Sequence, residues 1–154
     1  MRCETVKIFI RGIVIMLFCT YLTILFYLLF FSNYRTAVSS GQFQGTGINL
    51  IPFKSIYEHI RTAESYHFTD NLIGNILAFI PFGFFLPVLK KTYIKMIKLI
   101  CITFAFSASI EYLQYVFKVG ALDVDDICLN VIGSLIGYTF FLLGVYNLNE
   151  RVVS

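Results

Sequence analysis

The sequence predicts an all-α, polytopic membrane protein with four transmembrane helices. Composition gives the first observation: 58% of the residues are hydrophobic, only 14% are charged, and the mean hydropathy of +0.78 is too high for a soluble domain of 154 residues. Length gives the second, because four apolar stretches reach the roughly 20 residues that a helix needs to cross a bilayer core of about 30 Å. The stretches are apolar throughout rather than at every second residue, which argues against a membrane β-barrel.

The four stretches are delimited by their lack of charge. They comprise Ile13–Phe31, Asn71–Leu89, Leu99–Phe117 and Ile127–Asn149, and Glu111 is the single charged residue within them. We therefore expect spans at about residues 10–31, 71–89, 97–117 and 126–147, in one membrane domain that covers residues 1–154. The first stretch is too long for a signal-peptide core and lacks a small-residue cleavage pattern, so we expect a retained helix.

Lysine and arginine are distributed unequally between the two sides of these spans. If the N-terminus, the turn at residues 90–98 and the C-terminus are cytoplasmic, eight of the 12 basic residues lie inside. The positive-inside rule favours this arrangement. We therefore expect both termini in the cytoplasm, and the connections at residues 32–70 and 118–126 on the outer side.

The long outer loop, residues 32–70, contains a candidate amphipathic helix. Residues 49–61 place Phe53, Ile56, Tyr57 and Ile60 on one helical face, and Pro52 suits the first turn. We expect a short helix that lies in the outer membrane interface. It either covers the helix bundle or acts as a lid over a site.

Glu111 is the most informative residue, because it is an acid within an otherwise uncharged span. A charged side chain at bilayer depth costs at least about 2.5 kcal/mol on insertion scales, so it needs a partner or a function. Other polar residues occur at a similar depth, near the outer ends of the second, third and fourth spans: Asn71, Asn75, Gln114, Asp126 and Asn130. Since polar groups within a membrane face the bundle interior, we expect one polar site that is open to the outer side.

Most of these polar residues also have a structural explanation. Asp123 can be the N-cap of the fourth helix, with Asp125 and Asp126 in its first turn, where negative charge favours the helix dipole. The amide side chains can be explained by interhelical hydrogen bonds. Glu111 is harder to explain in this way, because a neutral glutamine would form such bonds at a lower desolvation cost.

Small residues on the fourth span predict close helix packing. Gly133 and Gly137 form a GxxxG step, and Gly144 follows on nearly the same face, so we expect a neighbouring helix to approach there. The third and fourth spans must also be neighbours, because only the short turn at residues 118–126 joins them. Contact between Glu111 and the start of the fourth helix is therefore feasible.

Several short motifs occur in a specific order. They are Asn-Leu-Ile-Pro-Phe at 49–53, Asn-Leu-Ile-Gly-Asn-Ile-Leu-Ala-Phe-Ile-Pro-Phe-Gly at 71–83, Glu-Tyr-Leu-Gln at 111–114, Gly-Ala-Leu-Asp-Val-Asp-Asp at 120–126 and Gly-Ser-Leu-Ile-Gly at 133–137. In these motifs and their spacing, the chain resembles the VanZ family of bacterial membrane proteins from residue 49 to residue 138. Many members carry an arginine where this chain has Gly120, so no arginine role is carried over to that position.

The resemblance implies a cell-envelope protein in the plasma membrane of a Gram-positive bacterium, with a role in resistance to teicoplanin, a lipid-tailed glycopeptide that acts outside the membrane. The family's polar motif positions fall on the candidate ligand-binding residues Asn75, Glu111, Gln114, Asp123, Asp126 and Asn130. Our leading hypothesis is a non-enzymatic factor that binds a membrane lipid, a lipid-linked cell-wall component or the acyl tail of a lipoglycopeptide. No metal, cofactor or nucleic-acid partner is expected.

Two other function classes remain open. The first is an intramembrane enzyme that modifies an envelope lipid or glycan, with Glu111 as general acid or base and Asp126 as its ionised partner, so these two are the candidate catalytic residues. The second is a small transporter or proton-coupled channel that uses the acid as a relay. It is the least favoured, because the inner halves of the spans contain almost no polar side chains.

Overall fold

The structure is a computed structural model, and it describes residues 2–32, 47–62, 65–90 and 94–153. In this part of the chain the order of elements is α1 (Arg2–Tyr27) with a π-helical turn (Leu28–Ser32), β1 (Ile48–Asn49), α2 (Lys54–Thr62), α3 (Ser65–Leu89), α4 (Met96–Val116), β2 (Leu122–Asp123) and α5 (Val124–Val153). Helix dominates because a segment that crosses lipid must satisfy its backbone hydrogen bonds internally.

Four of the helices are long and apolar enough to cross a membrane, at Ile8–Phe31, Leu72–Leu89, Met96–Val116 and Val124–Val145. This finding confirms the predicted all-α fold with four spans. The helices extend beyond the apolar stretches, since α3 already begins at Ser65, within the predicted outer loop. Pro81 and Pro87 lie inside α3 without ending it.

Helices α3 and α5 pack backbone to backbone. A Cβ atom added at Gly133 would lie 2.1 Å from the carbonyl oxygen of Ile76, and one at Gly137 would lie 1.9 Å from that of Ile80. Only glycine fits at such distances, so the predicted close approach at both residues is confirmed. Because the two contacts advance together along both helices, α3 and α5 run parallel.

Gly83 makes the same kind of contact from α3, since a Cβ atom there would lie 1.8 Å from the carbonyl oxygen of Ser134. Gly144 has no atom within 4 Å of its Cβ position, so the close contact predicted there is wrong. In the register set by Gly133 and Gly137, Gly144 corresponds to Pro87, in the last turn of α3. The two helices are therefore no longer in close contact at this level.

An apolar core fills the space between α1, α3 and α4. Its buried members are Leu25, Phe79, Phe82 and Ile110. The ring of Phe82 also stacks on that of Phe106, with centroids 4.9 Å apart and 4° between the ring planes. In lipid such packing, rather than the hydrophobic effect, holds helices together.

The helix ends near Glu111 carry an element that the sequence did not reveal. Strands β1 and β2 pair in parallel, with Ile48 opposite Leu122 and Asn49 opposite Asp123. The backbone N–H of Leu122 also donates to the carbonyl oxygen of Gly47 at 3.1 Å. This pairing places residues 47–62, here called the outer segment after the side of the membrane predicted for it, beside the loop that joins α4 to α5.

The outer segment contains the predicted short helix, α2. Tyr57 is exposed and Ile56 is half-buried, while the side chain of Ile60 lies outside the described residues. The start of the helix differs from the prediction, because Pro52 lies in a turn before α2 and Phe53 has a φ of 65°. That left-handed conformation is rare for a bulky residue, so surrounding contacts must hold it in place.

Candidate functional site

Glu111 lies inside the bundle, on α4, with only 4% of its surface exposed. Its Oε2 accepts a hydrogen bond of 3.2 Å from the backbone N–H of Asp123. The charged side chains that act on it electrostatically are those of Asp126 and Asp123, which are acids as well. The structure thus brings Glu111 close to the start of α5, as the short connecting turn suggested.

A ladder of polar contacts joins α4 to α5 below Glu111. The Nδ2 of Asn130 donates to the hydroxyl of Ser107 at 2.7 Å, and both side chains are buried. One turn deeper, the hydroxyls of Thr103 and Ser134 are hydrogen-bonded at 2.9 Å. These contacts are interhelical hydrogen bonds of the kind that stabilises membrane bundles.

Gln114 is also buried on α4, but its hydrogen bond runs towards α1 rather than towards α5. Its Nε2 donates to the backbone carbonyl oxygen of Leu29 at 3.0 Å, in the π-helical turn that follows α1. Gln114 therefore links α4 to the first span, whereas Glu111 faces the start of α5 and Asn130, on α5, bonds to Ser107 of α4.

Two buried amide atoms among the described residues have no hydrogen-bond partner: Nδ2 of Asn75, a donor, and Oδ1 of Asn130, an acceptor. The side chains are 9% and 2% exposed, respectively. Gly133 packs against the backbone of Ile76, and α3 and α5 run parallel, so the two asparagines lie within about one helical turn in depth. The bundle thus contains an unused donor and an unused acceptor at the same level.

Asp123 caps α5 and also binds the outer segment. Its Oδ1 accepts from the backbone N–H of Asp125 at 2.8 Å, which confirms the predicted N-cap. The same oxygen accepts from Nδ2 of Asn49 at 3.0 Å, and Oδ2 accepts a hydrogen bond from the hydroxyl of Ser55. Asp123 therefore connects Glu111 to the outer segment, through its backbone N–H on one side and its carboxylate on the other.

Asp125 lies in the first turn of α5 and also binds the outer segment. It is 2% exposed, and its carboxylate accepts from the backbone N–H groups of Phe53 at 2.5 Å, Ser55 at 3.0 Å and Ile56 at 3.4 Å. These N–H groups lie at the N-terminus of α2, where a helix supplies no acceptor of its own, so Asp125 caps a helix about 70 residues away in the chain. The bond to Phe53 also accounts for its unusual φ angle.

These contacts place the outer segment next to the polar residues. Asn49, Ser55 and the start of α2 are hydrogen-bonded to each other or to the loop that contacts Glu111. A ligand that reaches Glu111 past this loop must therefore displace or pass the outer segment. Of the sequence candidates, Asn71 has a side chain that lies outside the described residues.

Three residues that matter for this geometry were not identified as site residues from the sequence: Asn49, Ser55 and Asp125. The sequence contained a signal for two of them, since Asn49 belongs to the first family-like motif and Asp125 to the acidic loop motif. Ser55 lies in neither motif. Within the described ranges, no three His, Cys, Asp or Glu side chains are grouped so as to hold a metal ion. The available chemistry is that of carboxylates, amides and hydroxyls.

Comparison with known proteins gives consistent results. The family model described as VanZ/LLP1 matches residues 18–145, a range that contains every candidate site residue. The chain is 29% identical over 145 residues to Protein VanZ of Enterococcus faecium, an alignment that covers 94% of this chain and 81% of that protein. No solved structure matches the chain.

Proposed function

Because the chain belongs to the VanZ/LLP1 family, we propose that it contributes to teicoplanin resistance in the plasma membrane of a Gram-positive bacterium. In this proposal the buried polar site binds the polar group of a membrane lipid or of a lipid-linked cell-wall component. The observation that carries it is the pair of buried, unpartnered atoms, Asn75 Nδ2 and Asn130 Oδ1, in a bundle that also buries Glu111.

A hydroxyl group is the simplest ligand for this site. An unpaired polar atom in a protein interior costs about 1–3 kcal/mol, so an occupant that pairs both atoms is favoured. A hydroxyl oxygen accepts from the Asn75 amide while its proton is donated to Asn130 Oδ1. A carboxylate such as Glu111 accepts further hydrogen bonds, which suits a glycan or polyol with several hydroxyls.

The outer segment is the lid in this proposal. Its attachment to Asp123 and Asp125 consists of hydrogen bonds rather than extensive apolar packing, and such bonds are exchangeable with water at the membrane surface. The distribution of basic residues supports cytoplasmic termini, which would put the lid and Glu111 in the outer half of the membrane. Lipid-linked wall components are exposed in that half.

Expression in a susceptible host tests this function. We expect the wild-type chain to reduce susceptibility to teicoplanin more than to vancomycin, which lacks the lipid tail. Asp126→Asn should lower this protection at a matched membrane level. Ser109→Ala is the control, because Ser109 is exposed on α4 and its hydroxyl bonds only within its own helix, to Ala105 at 2.7 Å. An unchanged susceptibility with the wild-type chain would refute the resistance function.

An intramembrane enzyme is the second candidate, because Glu111 lies near two further carboxylates. Closely placed acids can differ in protonation, so that one donates a proton while the other stays ionised. In that case Glu111 would be the general acid or base and Asp126 its ionised partner. Turnover of a labelled envelope lipid by the purified protein, lost in Glu111→Gln, would decide in favour of the enzyme.

A further inference from the structure

An apolar groove of ≈ 440 Å³ lies between the outer ends of α1 and α4. Its lining is entirely apolar and consists of Phe26, Phe30, Phe31, Leu113, Phe117 and Val119. The aromatic walls are ordered, since the rings of Phe26 and Phe30 stack with centroids 5.5 Å apart and Phe30 meets Phe117 edge to face at 6.4 Å. The groove is thus a shaped cleft, distinct from the polar site around Glu111.

The groove is continuous with the lipid-facing surface of the spans. Phe31 ends the first span and is 60% exposed, and Phe117 directly follows the third span and is 64% exposed. The hydrogen bond from Gln114 to Leu29 fixes the spacing of the two helices that form the walls. Because an empty cleft forfeits dispersion contacts, an apolar chain from the surrounding lipid is the natural occupant.

A basic residue adjoins this groove in the chain, in a strained backbone position. Lys118 is exposed and stands in the chain between two groove-lining residues, Phe117 and Val119. The backbone N–H groups of Lys118 and Val119 donate to the carbonyl oxygens of Tyr115 and Gln114, which is the Schellman pattern at a helix C-terminus. Lys118 occupies the left-handed position of this motif, with a φ of 57°, where glycine is usual.

The occurrence of lysine at that position needs a reason, because glycine would remove the strain. Phe117 and Val119, on either side of Lys118, both line the groove, so the Schellman motif keeps the charged residue next to it along the chain. An ammonium group at the membrane surface attracts anionic lipid headgroups. Charge and apolar lining together therefore favour a phospholipid whose headgroup has a net negative charge.

We propose that the groove binds one hydrocarbon chain of an outer-leaflet phospholipid with a net negative headgroup, whose phosphate group lies on Lys118. This inference rests on the proposed function in that a lipid is the ligand, but it assigns a separate site for the chain and a charge for the headgroup. Glu111 takes no part in it. The two sites can therefore be tested separately.

The absence of tryptophan from the sequence allows a direct measurement. Phe30→Trp places a single fluorophore in the groove, and Tyr112→Trp places one on the exposed face of α4 at the same end of the helix. The full chain is reconstituted in phosphatidylcholine bilayers with increasing fractions of phosphatidylglycerol brominated on its acyl chains. Bromine quenches tryptophan on contact, so the quenching reports which lipid occupies each position.

We expect half-maximal quenching of Phe30→Trp at an about fivefold lower fraction of brominated phosphatidylglycerol than that of Tyr112→Trp, the factor expected for one lysine near an anionic headgroup. Brominated phosphatidylcholine should give no such difference. Lys118→Gly should abolish the preference although it relieves backbone strain, and Lys118→Arg should keep it. Glu111→Gln should leave it unchanged, whatever that variant does to drug susceptibility.

Three results would overturn the inference. Equal quenching of the two tryptophans at every lipid fraction would mean ordinary lipid contact. Failure of the lipid to quench Phe30→Trp would mean that a protein segment or a second copy of the chain covers the groove. A preference that survives Lys118→Gly would remove Lys118 from the site.

Discussion

Replacement of Asp125 by alanine should release the outer segment. The change removes the carboxylate that accepts three backbone N–H groups at the start of α2, at 2.5, 3.0 and 3.4 Å. Loss of an N-cap costs about 0.5–2 kcal/mol, and hydrogen bonds to a charged acceptor contribute more than neutral ones. We therefore expect the closed position of the outer segment to lose about 2 kcal/mol, roughly a thirtyfold change in its opening equilibrium.

Amide hydrogen exchange of the full chain in lipid measures this effect. The backbone N–H groups of Phe53, Ser55 and Ile56 should exchange about thirtyfold faster in Asp125→Ala, whereas amides in the middle of α4 should keep their rates. Ile51→Ala is the matched control, because Ile51 is exposed in the same segment. Equal exchange in Asp125→Ala and the wild type would refute the idea that this carboxylate holds the lid closed.

Two further predictions concern the bundle itself, with unfolding of the reconstituted protein by sodium dodecyl sulfate as the measurement. Gly137→Ala should lower the free energy of unfolding by about 1–3 kcal/mol, because its Cβ atom would lie 1.9 Å from a backbone oxygen of α3, while Gly144→Ala, in open space, should have no destabilising effect. Equal effects of the two alanines would contradict the described packing of α3 on α5. Ser134→Ala should cost about 0.6–2 kcal/mol by removing the hydrogen bond to Thr103, and the same alanine in a Thr103→Ala background should cost less.

The fold could be predicted from the sequence because its elements are specified locally. An uncharged stretch of about 20 residues is sufficient for a span in lipid, and this property does not depend on distant residues. The close packing at Gly133 and Gly137 could be predicted equally well, since helical spacing alone puts them on one face. Gly144 has the same spacing, but whether it meets a neighbour depends on how far along its length α5 stays close to α3, which the sequence of α5 does not contain.

The site was only partly predictable for the same reason. Contact between Glu111 and the first turn of α5 followed from the short loop between them. The role of Asp125 did not, because its acceptor bonds run to residues about 70 positions earlier, and an aspartate in a first helical turn has a sufficient local explanation. The turn at Phe53 was missed as well, since its left-handed backbone is held by that distant carboxylate rather than by its own sequence.

We infer that Glu111, the buried acid on α4, serves binding rather than folding. The most direct test is the teicoplanin susceptibility of a host that expresses Glu111→Gln, with the amount and unfolding stability of the membrane protein measured in parallel. Glutamine keeps the acceptor for the backbone N–H of Asp123 but removes the charge. We expect Glu111→Gln to cause a partial loss of protection with unchanged protein level and stability. Full protection, or loss of the folded protein itself, would contradict it.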